Sequence, residues 1–412
     1  MNNYINLLTN YMNKNLVRSV NLIASYLVSG IVLIGVLAIF NNNQSLNAET
    51  ITNFVLLVTI AGGFELGLVK SSLINIDNSR SYSFKKLSLI SKVSVRAIIP
   101  SIIIFLLWTF LNNDSSFLFK IIFSYCLCII GILSSELRVI FDNNGNHSTA
   151  VWTKQGGITL GILTFVFSIY LGYGDAISLG MYCLMRVLYL ILLFHRFNKI
   201  NFSDKEIFFD KNQISGWKNI FGLSLLAVIS GNIDRILISY FLDPLVVLNY
   251  FLIYEIFTKY WLIAVIVNPI IFVQFANGGN GVLSGIGILK ILGVISIISV
   301  AILVTFISFN PMFFNNILNI SINNLFIILF FIAIVINCVT QIASTLLLSR
   351  GYAQNLLIIT ITVTLVIALT LVYALTNFGV NGLLVTWLIK SCFEGALVGI
   401  LFSRERHEFL PK

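Results

Sequence analysis

Residues 230–245 read SGNIDRILISYFLDPL, and the apolar run Ile220–Ile229 leads into them. Together they are long enough to cross a bilayer, yet Asp234 and Arg235 sit side by side within them. A charge near the middle of a spanning helix costs roughly 2.5–3.5 kcal/mol on insertion scales, so such residues face a bundle interior or a watery cavity. At about 100° per residue, Ser224, Ala227, Ser230, Gly231, Asp234 and Arg235 share one arc. Leu225, Ile229, Ile233, Ile236 and Leu237 share the opposite one. The segment therefore has a lipid face and a polar or small face, with both charges on the second. Adjacent residues do not face each other, so Asp234 and Arg235 are expected to have separate partners.

The rest of the chain fits the same setting. Of 412 residues, 58% are hydrophobic and 10% charged, and the mean hydropathy is +0.96. A soluble domain carries roughly 25% charged residues. The sequence reads as an all-α polytopic membrane protein, with spans of about 20 apolar residues. Twelve are expected, at roughly 16–40, 51–75, 94–111, 117–140, 149–172, 176–195, 217–242, 246–272, 283–309, 322–348, 355–375 and 379–402. The first apolar run lacks a small-residue cleavage site after it and is expected to be retained.

The net charge of +9 does not mark a nucleic-acid binder, because the basic residues cluster at alternate segment ends. Lys14 and Arg18 precede span 1, Lys70 to Arg96 surround the 2/3 connection, Arg196 to Lys218 the 6/7 connection, and Arg404, Arg406 and Lys412 close the chain. The opposite connections are free of Lys and Arg, Lys120 excepted. This positive-inside pattern places both termini in the cytoplasm. The polar stretch at 199–219 divides the spans six and six, giving an N-terminal lobe over 1–198, a central cytoplasmic loop over 199–216 and a C-terminal lobe over 217–412. Paired bundles of this kind rock around a midplane site in many transporters.

Other classes are disfavoured. A polymerising or ligating membrane enzyme needs a sizeable outer loop, and the longest here, around 310–324, is short. GGNG at 278–281 lacks the Lys-Ser/Thr of a phosphate-gripping loop. Cys126, Cys128, Cys183, Cys338 and Cys392 all lie in spans without metal-ligand spacing and read as packing residues. His147, His195 and His407 form no metal or catalytic set and read as surface residues.

The charges well inside the spans are Arg186 on span 6, Asp234 and Arg235 on span 7, Glu255 and Lys259 on span 8, and Lys390 and Glu394 on span 12. Glu65 on span 2 lies nearer the cytoplasmic side, while Glu136 and Arg138 read as interfacial charges on span 4. Glu255 with Lys259, and Lys390 with Glu394, have the four-residue spacing of intrahelical pairs. Each pair reads equally as a device fixing helix rotation or as part of a lumen. Arg186 has no acidic residue within four positions and is assigned to a cavity or an anionic ligand. Tyr250, Tyr254, Phe257 and Trp261 form an aromatic stripe on span 8, read as packing or lipid contact in preference to a sugar platform. Cationic side chains in a lumen favour an anionic cargo such as a phosphate or pyrophosphate head group. Acidic neighbours supply exchangeable protons or a Na⁺ site.

Residues 217–257, with a polar-faced helix bearing Asp234 and Arg235, a short turn and Tyr250 on the next helix, resemble the seventh and eighth helices of the bacterial polysaccharide transporter family. These are the O-antigen and capsule repeat-unit flippases of the multidrug/oligosaccharidyl-lipid/polysaccharide (MOP) exporter superfamily. GGFELGLVKSSL at 62–73, with Glu65, is similar to the family's helix 2 element. RGYAQNLL followed by NFGVNGLLVTWLI, with Gly351, Gly379 and Gly382, resembles its 10/11 connection and helix 12 start.

The resemblance implies a V-shaped pair of six-helix bundles in the bacterial plasma (inner) membrane. Its implied cargo is an undecaprenyl-pyrophosphate-linked oligosaccharide, moved from the inner to the outer leaflet. It further implies a cation-lined cavity between the lobes, faced by Asp234 and Arg235, with Arg186, Arg235, Lys259 and Lys390 as candidates for the anionic cargo. Glu65, Asp234, Glu255 and Glu394 are the ion-coupling candidates, with H⁺ or Na⁺ as the ion, no resident metal or cofactor and no catalytic residue. Lipid-linked oligosaccharide, membrane lipids, a polysaccharide polymerase and chain-length machinery are the implied partners. A drug/cation antiporter on the same architecture is the rival, disfavoured because span 1 has no acidic residue. A major-facilitator porter is disfavoured because the 2/3 connection lacks a Gly-x-x-x-Asp-Arg-x-Gly-like turn.

Overall fold

A computed structural model describes residues 24–39, 49–61, 86–111, 117–143, 147–197, 229–264, 285–310 and 323–405, with a few isolated positions besides. Glu65, the 199–219 connection and the GGNG turn lie outside the described residues. Those described are helical throughout, with no strand. The chain divides into two compact units, residues 1–36 with 53–217 and residues 37–52 with 218–412.

The helices are α1 (Ala24–Ile39), α2 (Glu49–Ala61), α3 (Lys86–Leu111), α4 (Phe117–Asn143), α5 (His147–Tyr170), α6 (Asp175–Phe197), α7 (229–241), α8 (Pro244–Thr258), α9 (Gly285–Phe309), α10 (Asn324–Ser349) and α11 (Ala353–Arg404). A 3-10 turn, Lys259–Trp261, follows α8 without a break in the span. Among the described residues, six helices are long and apolar enough to cross a membrane: α4, α6, α8 with its 3-10 turn, α9, α10 and α11. α5 is not among them, because Thr153, Lys154 and Gln155 make its first turns polar; all three are buried. Ile297 on α9 and Leu369 on α11 are 72% and 78% exposed, an arrangement that suits hydrocarbon and would aggregate in water.

In the first unit α5 packs on α6 through glycines. A Cβ on Gly161 would sit 2.7 Å from the Tyr182 ring, and one on Gly157 would sit 3.1 Å from Tyr189. The spacing Gly157-x-x-x-Gly161 is the small-residue motif that lets membrane helices approach closely. Tyr189 then donates its hydroxyl to the Trp152 carbonyl at 2.8 Å, and Phe54 of α2 stacks on Phe165 at 3.8 Å.

Chain reversals in the second unit carry legible signals. Asp243 precedes Pro244, whose fixed φ suits the first position of α8. α10 is capped by Asn323, whose side chain accepts from the Leu325 amide at 2.9 Å. It ends on Gly351 (φ +94), with the Tyr352 amide donating to the Leu347 carbonyl and the Gly351 amide to the Leu348 carbonyl. That pairing satisfies carbonyls a helix end otherwise leaves open.

The expected spans 11 and 12 are the two arms of α11, which breaks at Gly379 (φ +56, ψ −141). Few residues other than glycine tolerate that backbone conformation. The arms fold back tightly: a Cβ on Gly382 would run into the Ala374 carbonyl and lie 2.8 Å from Phe378. At the far end, Tyr352 donates its hydroxyl to Glu405 at 2.7 Å, joining the start of one arm to the end of the other.

Two expectations change. Glu136, expected as an ordinary interfacial charge, is 7% exposed and accepts from Arg96 at 2.7 Å, tying α4 to α3. Hydropathy along one span cannot reveal a partner on the next. Cys392 is exposed on α11, while Cys128, Cys183 and Cys338 are buried.

Candidate functional site

Asp234 lies eight residues before Leu242 in the α7/α8 turn, and Tyr250 lies eight after it. Two helices that reverse direction at 1.5 Å per residue bring such positions level. Their side chains meet: the Tyr250 hydroxyl donates to Asp234 Oδ2. Trp387, on the second arm of α11, donates its indole N–H to the same oxygen at 2.9 Å. Asp234 is 1% exposed, and its other oxygen, Oδ1, has no hydrogen-bond partner among the described residues. Lys390, one turn beyond Trp387, donates its ammonium to the Ser230 carbonyl of α7 at 2.6 Å and lies 4.5 Å from the Trp387 ring centre. A narrow cleft lies between α7 and the two arms of α11, lined by Ser230, Asp234, Leu371, Thr386, Trp387 and Lys390 among others, and it has no room for a water-sized particle. Drug-sized ligands occupy about 300–1,000 Å³. The cleft as it stands is closed to an oligosaccharide.

Arg235 points elsewhere, as the spacing argument required. Its guanidinium lies 3.7 Å from the Tyr254 ring centre, donates to Asn232 Oδ1 at 3.3 Å and pairs with Glu255 at 3.6 Å. Glu255 also accepts from Lys259 at 2.7 Å, so the expected i,i+4 pair on α8 forms and Arg235 joins it. The two charges expected to pair on the last span make no close ion pair: Lys390 bonds instead to the Ser230 carbonyl of α7. A lysine stem is long enough to choose, and here the carbonyl in reach lies on another helix. Arg186, in the first unit, is buried and donates to the Tyr182 hydroxyl at 3.1 Å, one turn back on its own helix.

The structure thus brings Asp234 and Lys390 together at one cleft. It collects Arg235, Glu255 and Lys259 into a separate ion network, and it leaves Arg186 in the other unit. Glu394 stays on the arm of Lys390, and Glu65 is outside the described residues. The stripe of Tyr250, Tyr254 and Phe257 is packed around Phe330, with Trp387 against both Tyr254 and Phe330. Sequence reasoning missed Trp387 as the partner of Asp234, the buried Lys154 and the glycine face of α5. The GGITLG spacing would have found the last.

No family model and no curated protein matches the chain. Solved structures do. A MATE structure in the bent conformation matches with a TM-score of 0.65 at 15% identity, covering 95% of this chain and 94% of that one. The outward-facing conformation of a multidrug resistance MATE family transporter of the MOP superfamily gives 0.63 at 15%, covering 94% and 95%. The lipid II flippase MurJ, in an inward closed conformation, gives 0.61 at 13%, covering 94% and 88%.

The chain has the fold of these transporters. The likeness runs over nearly the full length of this chain and of both MATE chains. The Asp234 cleft and the Arg235 network therefore belong to a multi-pass membrane protein with a transporter's fold.

Proposed function

We propose that this chain is a flippase that moves a lipid-linked oligosaccharide, on an undecaprenyl pyrophosphate carrier, from the inner to the outer leaflet of the bacterial plasma membrane. The observation that carries the reading is the fold held in common with a lipid II flippase, taken together with the polysaccharide-transporter pattern at Asp234, Arg235 and Tyr250. Twelve spans with both termini cytoplasmic, and lobes over 1–198 and 217–412, complete the proposed topology. Alternating access between the lobes exposes the cargo to one leaflet at a time.

Arg186, buried on α6, is proposed as a contact for the anionic head group. Arg235 is assigned to holding α7 against α8 through Glu255, and Lys259 to completing that ion network on its own span. Ion coupling is assigned to Asp234, whose cleft is too narrow for the cargo. Polymerase and chain-length machinery are the proposed downstream partners. The likeness to multidrug MATE transporters favours a second reading, export of a small molecule by the same fold.

The test is leaflet accessibility of the lipid-linked repeat unit in cells lacking the protein and in cells where it is restored. Accumulation facing the cytoplasm, cleared on restoration, supports the flippase. An intermediate that reaches the outer leaflet regardless refutes it and turns attention to small-molecule export. Arg186→Ala is expected to lower export at unchanged membrane insertion.

A further inference from the structure

Tyr26 on α1 places its oxygen among donors that suit an anion. Its hydroxyl is hydrogen-bonded to Arg138 of α4 and Gln155 of α5 and lies beside Lys154. Ser29, further along α1, donates to Gln155 Oε1 at 3.0 Å, so the N–H groups of that amide are what meet the phenol. Two cations and an amide thus converge on one neutral oxygen. Lys154 and Gln155 are each 5% exposed and form the floor, whereas Tyr26 and Arg138 are half-buried and open at the helix surface. Among the described side chains of this unit the carboxylates are Glu136, which accepts from Arg96, and Asp175, at the start of α6. Near the α4/α5 turn, the described cations Arg96, Arg138 and Lys154 therefore outnumber Glu136.

Arg138 lies five residues before α4 ends and Lys154 seven after α5 begins, about 7.5 and 10.5 Å along their axes. That depth suits the head-group margin of a bilayer. The positive-inside pattern assigns this end to the cytoplasm, and basic pockets between spanning helices on that side hold anionic head groups. Leu27, Val28 and Ile31 are exposed beside Tyr26 on α1 and offer acyl chains an apolar surface. We propose that the pocket between α1, α4 and α5 is a binding site for an anionic phospholipid of the cytoplasmic leaflet, with Arg138, Lys154 and the Gln155 amide on its phosphate diester. The planar fork of Arg138 takes two phosphate oxygens, and Lys154 adds charge from below. Tyr26 turns aside and donates its hydroxyl to the same phosphate. A phosphate held there bridges the three helices that the phenol now joins. The inference rests on the proposed topology and not on the nature of the cargo.

The experiment uses the purified, lipid-depleted full chain in a neutral detergent and needs no cargo, so its outcome is independent of the leaflet assay. Thermal unfolding is recorded as phosphatidylglycerol is added, against phosphatidylcholine at the same mole fraction and against inorganic pyrophosphate. Phosphatidylglycerol is expected to raise the unfolding midpoint, and phosphatidylcholine and pyrophosphate to leave it where it is. Arg138→Gln and Lys154→Gln should each raise the phosphatidylglycerol fraction needed for half the shift by about fivefold or more. Arg404→Gln, which removes an exposed cation from the other unit, should leave that fraction unchanged. If the buried Lys154→Gln does not fold, Arg138→Gln decides, and Arg138→Lys, which keeps the charge and loses the fork, should fall between it and the wild type. Equal shifts with the two lipids, a phosphatidylglycerol shift that Arg138→Gln leaves intact, or an equal loss in Arg404→Gln overturns the proposal. A pyrophosphate shift that Arg138→Gln abolishes overturns it too, and gives the pocket to a free phosphate group in place of a membrane lipid.

Discussion

Replacing Glu255 by Gln removes the one anion between two cations. The Arg235 side chain is 4% exposed and that of Lys259 28%. Breaking a buried ion pair from one side costs about 3–5 kcal/mol, because the surviving charge is left uncompensated. Gln keeps an acceptor oxygen, so the lower end, about 3 kcal/mol, is expected. Arg235→Met removes the charge that Glu255→Gln strands. The double variant should therefore recover most of the loss, with a coupling of about 2 kcal/mol, within the range of contacting residues. The assay is equilibrium unfolding in mixed micelles of rising denaturing-detergent fraction, read by tryptophan fluorescence, on the wild type, both single variants and the double. Losses that add to within about 0.5 kcal/mol, as for independent sites, would refute a network centred on Glu255.

Trp387→Phe keeps the aromatic packing against Phe330 and removes the N–H bonded to Asp234, at an expected cost of about 1.5–3 kcal/mol for a bond to a charged group, measurable in the same unfolding assay. Gly382→Ala drives a methyl group into the Ala374 backbone and should sharply reduce the yield of folded protein on size-exclusion chromatography, whereas Gly399→Ala, with open space around it, should not. Gly161→Ala presses on the Tyr182 ring and is expected to cost about 1–3 kcal/mol as overpacking, partly relieved by Tyr182→Leu in thermal aggregation assays. Arg96→Ala takes the guanidinium from the Glu136 carboxylate, whose side chain is 9% exposed, and is expected to cost about 3 kcal/mol, the lower end for a buried pair broken from one side, in the same unfolding assay.

Much of the fold was legible because the bilayer imposes few choices. Apolar runs of spanning length, the Pro244 start of α8 and the Gly351 and Gly379 reversals are local signals, and each falls at a turn or break in the chain. The helical period correctly separated Asp234 from Arg235, and the four-residue spacing found Glu255 with Lys259. Spacing failed where the partner lies on another helix. Lys390 had two acceptors within reach of its stem, Glu394 on its own helix and the Ser230 carbonyl 160 residues away in sequence. Only the packing of α11 on α7 decides between them. The same holds for Trp387 with Asp234 and for Arg96 with Glu136, pairs that share no sequence window.

The 3-10 turn at Lys259–Trp261 has a mechanical consequence. A 3-10 helix rises about 2.0 Å and turns about 120° per residue, against 1.5 Å and 100° for the α form. Over three residues, rewinding to the α form would retract the end of the span by about 1.5 Å and rotate it by about 60°. The turn begins four residues after Glu255, which holds both Arg235 and Lys259, so one end of this screw is clamped by charge and the thread runs toward Ala264. Exchanging its i→i+3 bonds for i→i+4 bonds would move the far end of the span along its own axis while each amide keeps a backbone acceptor.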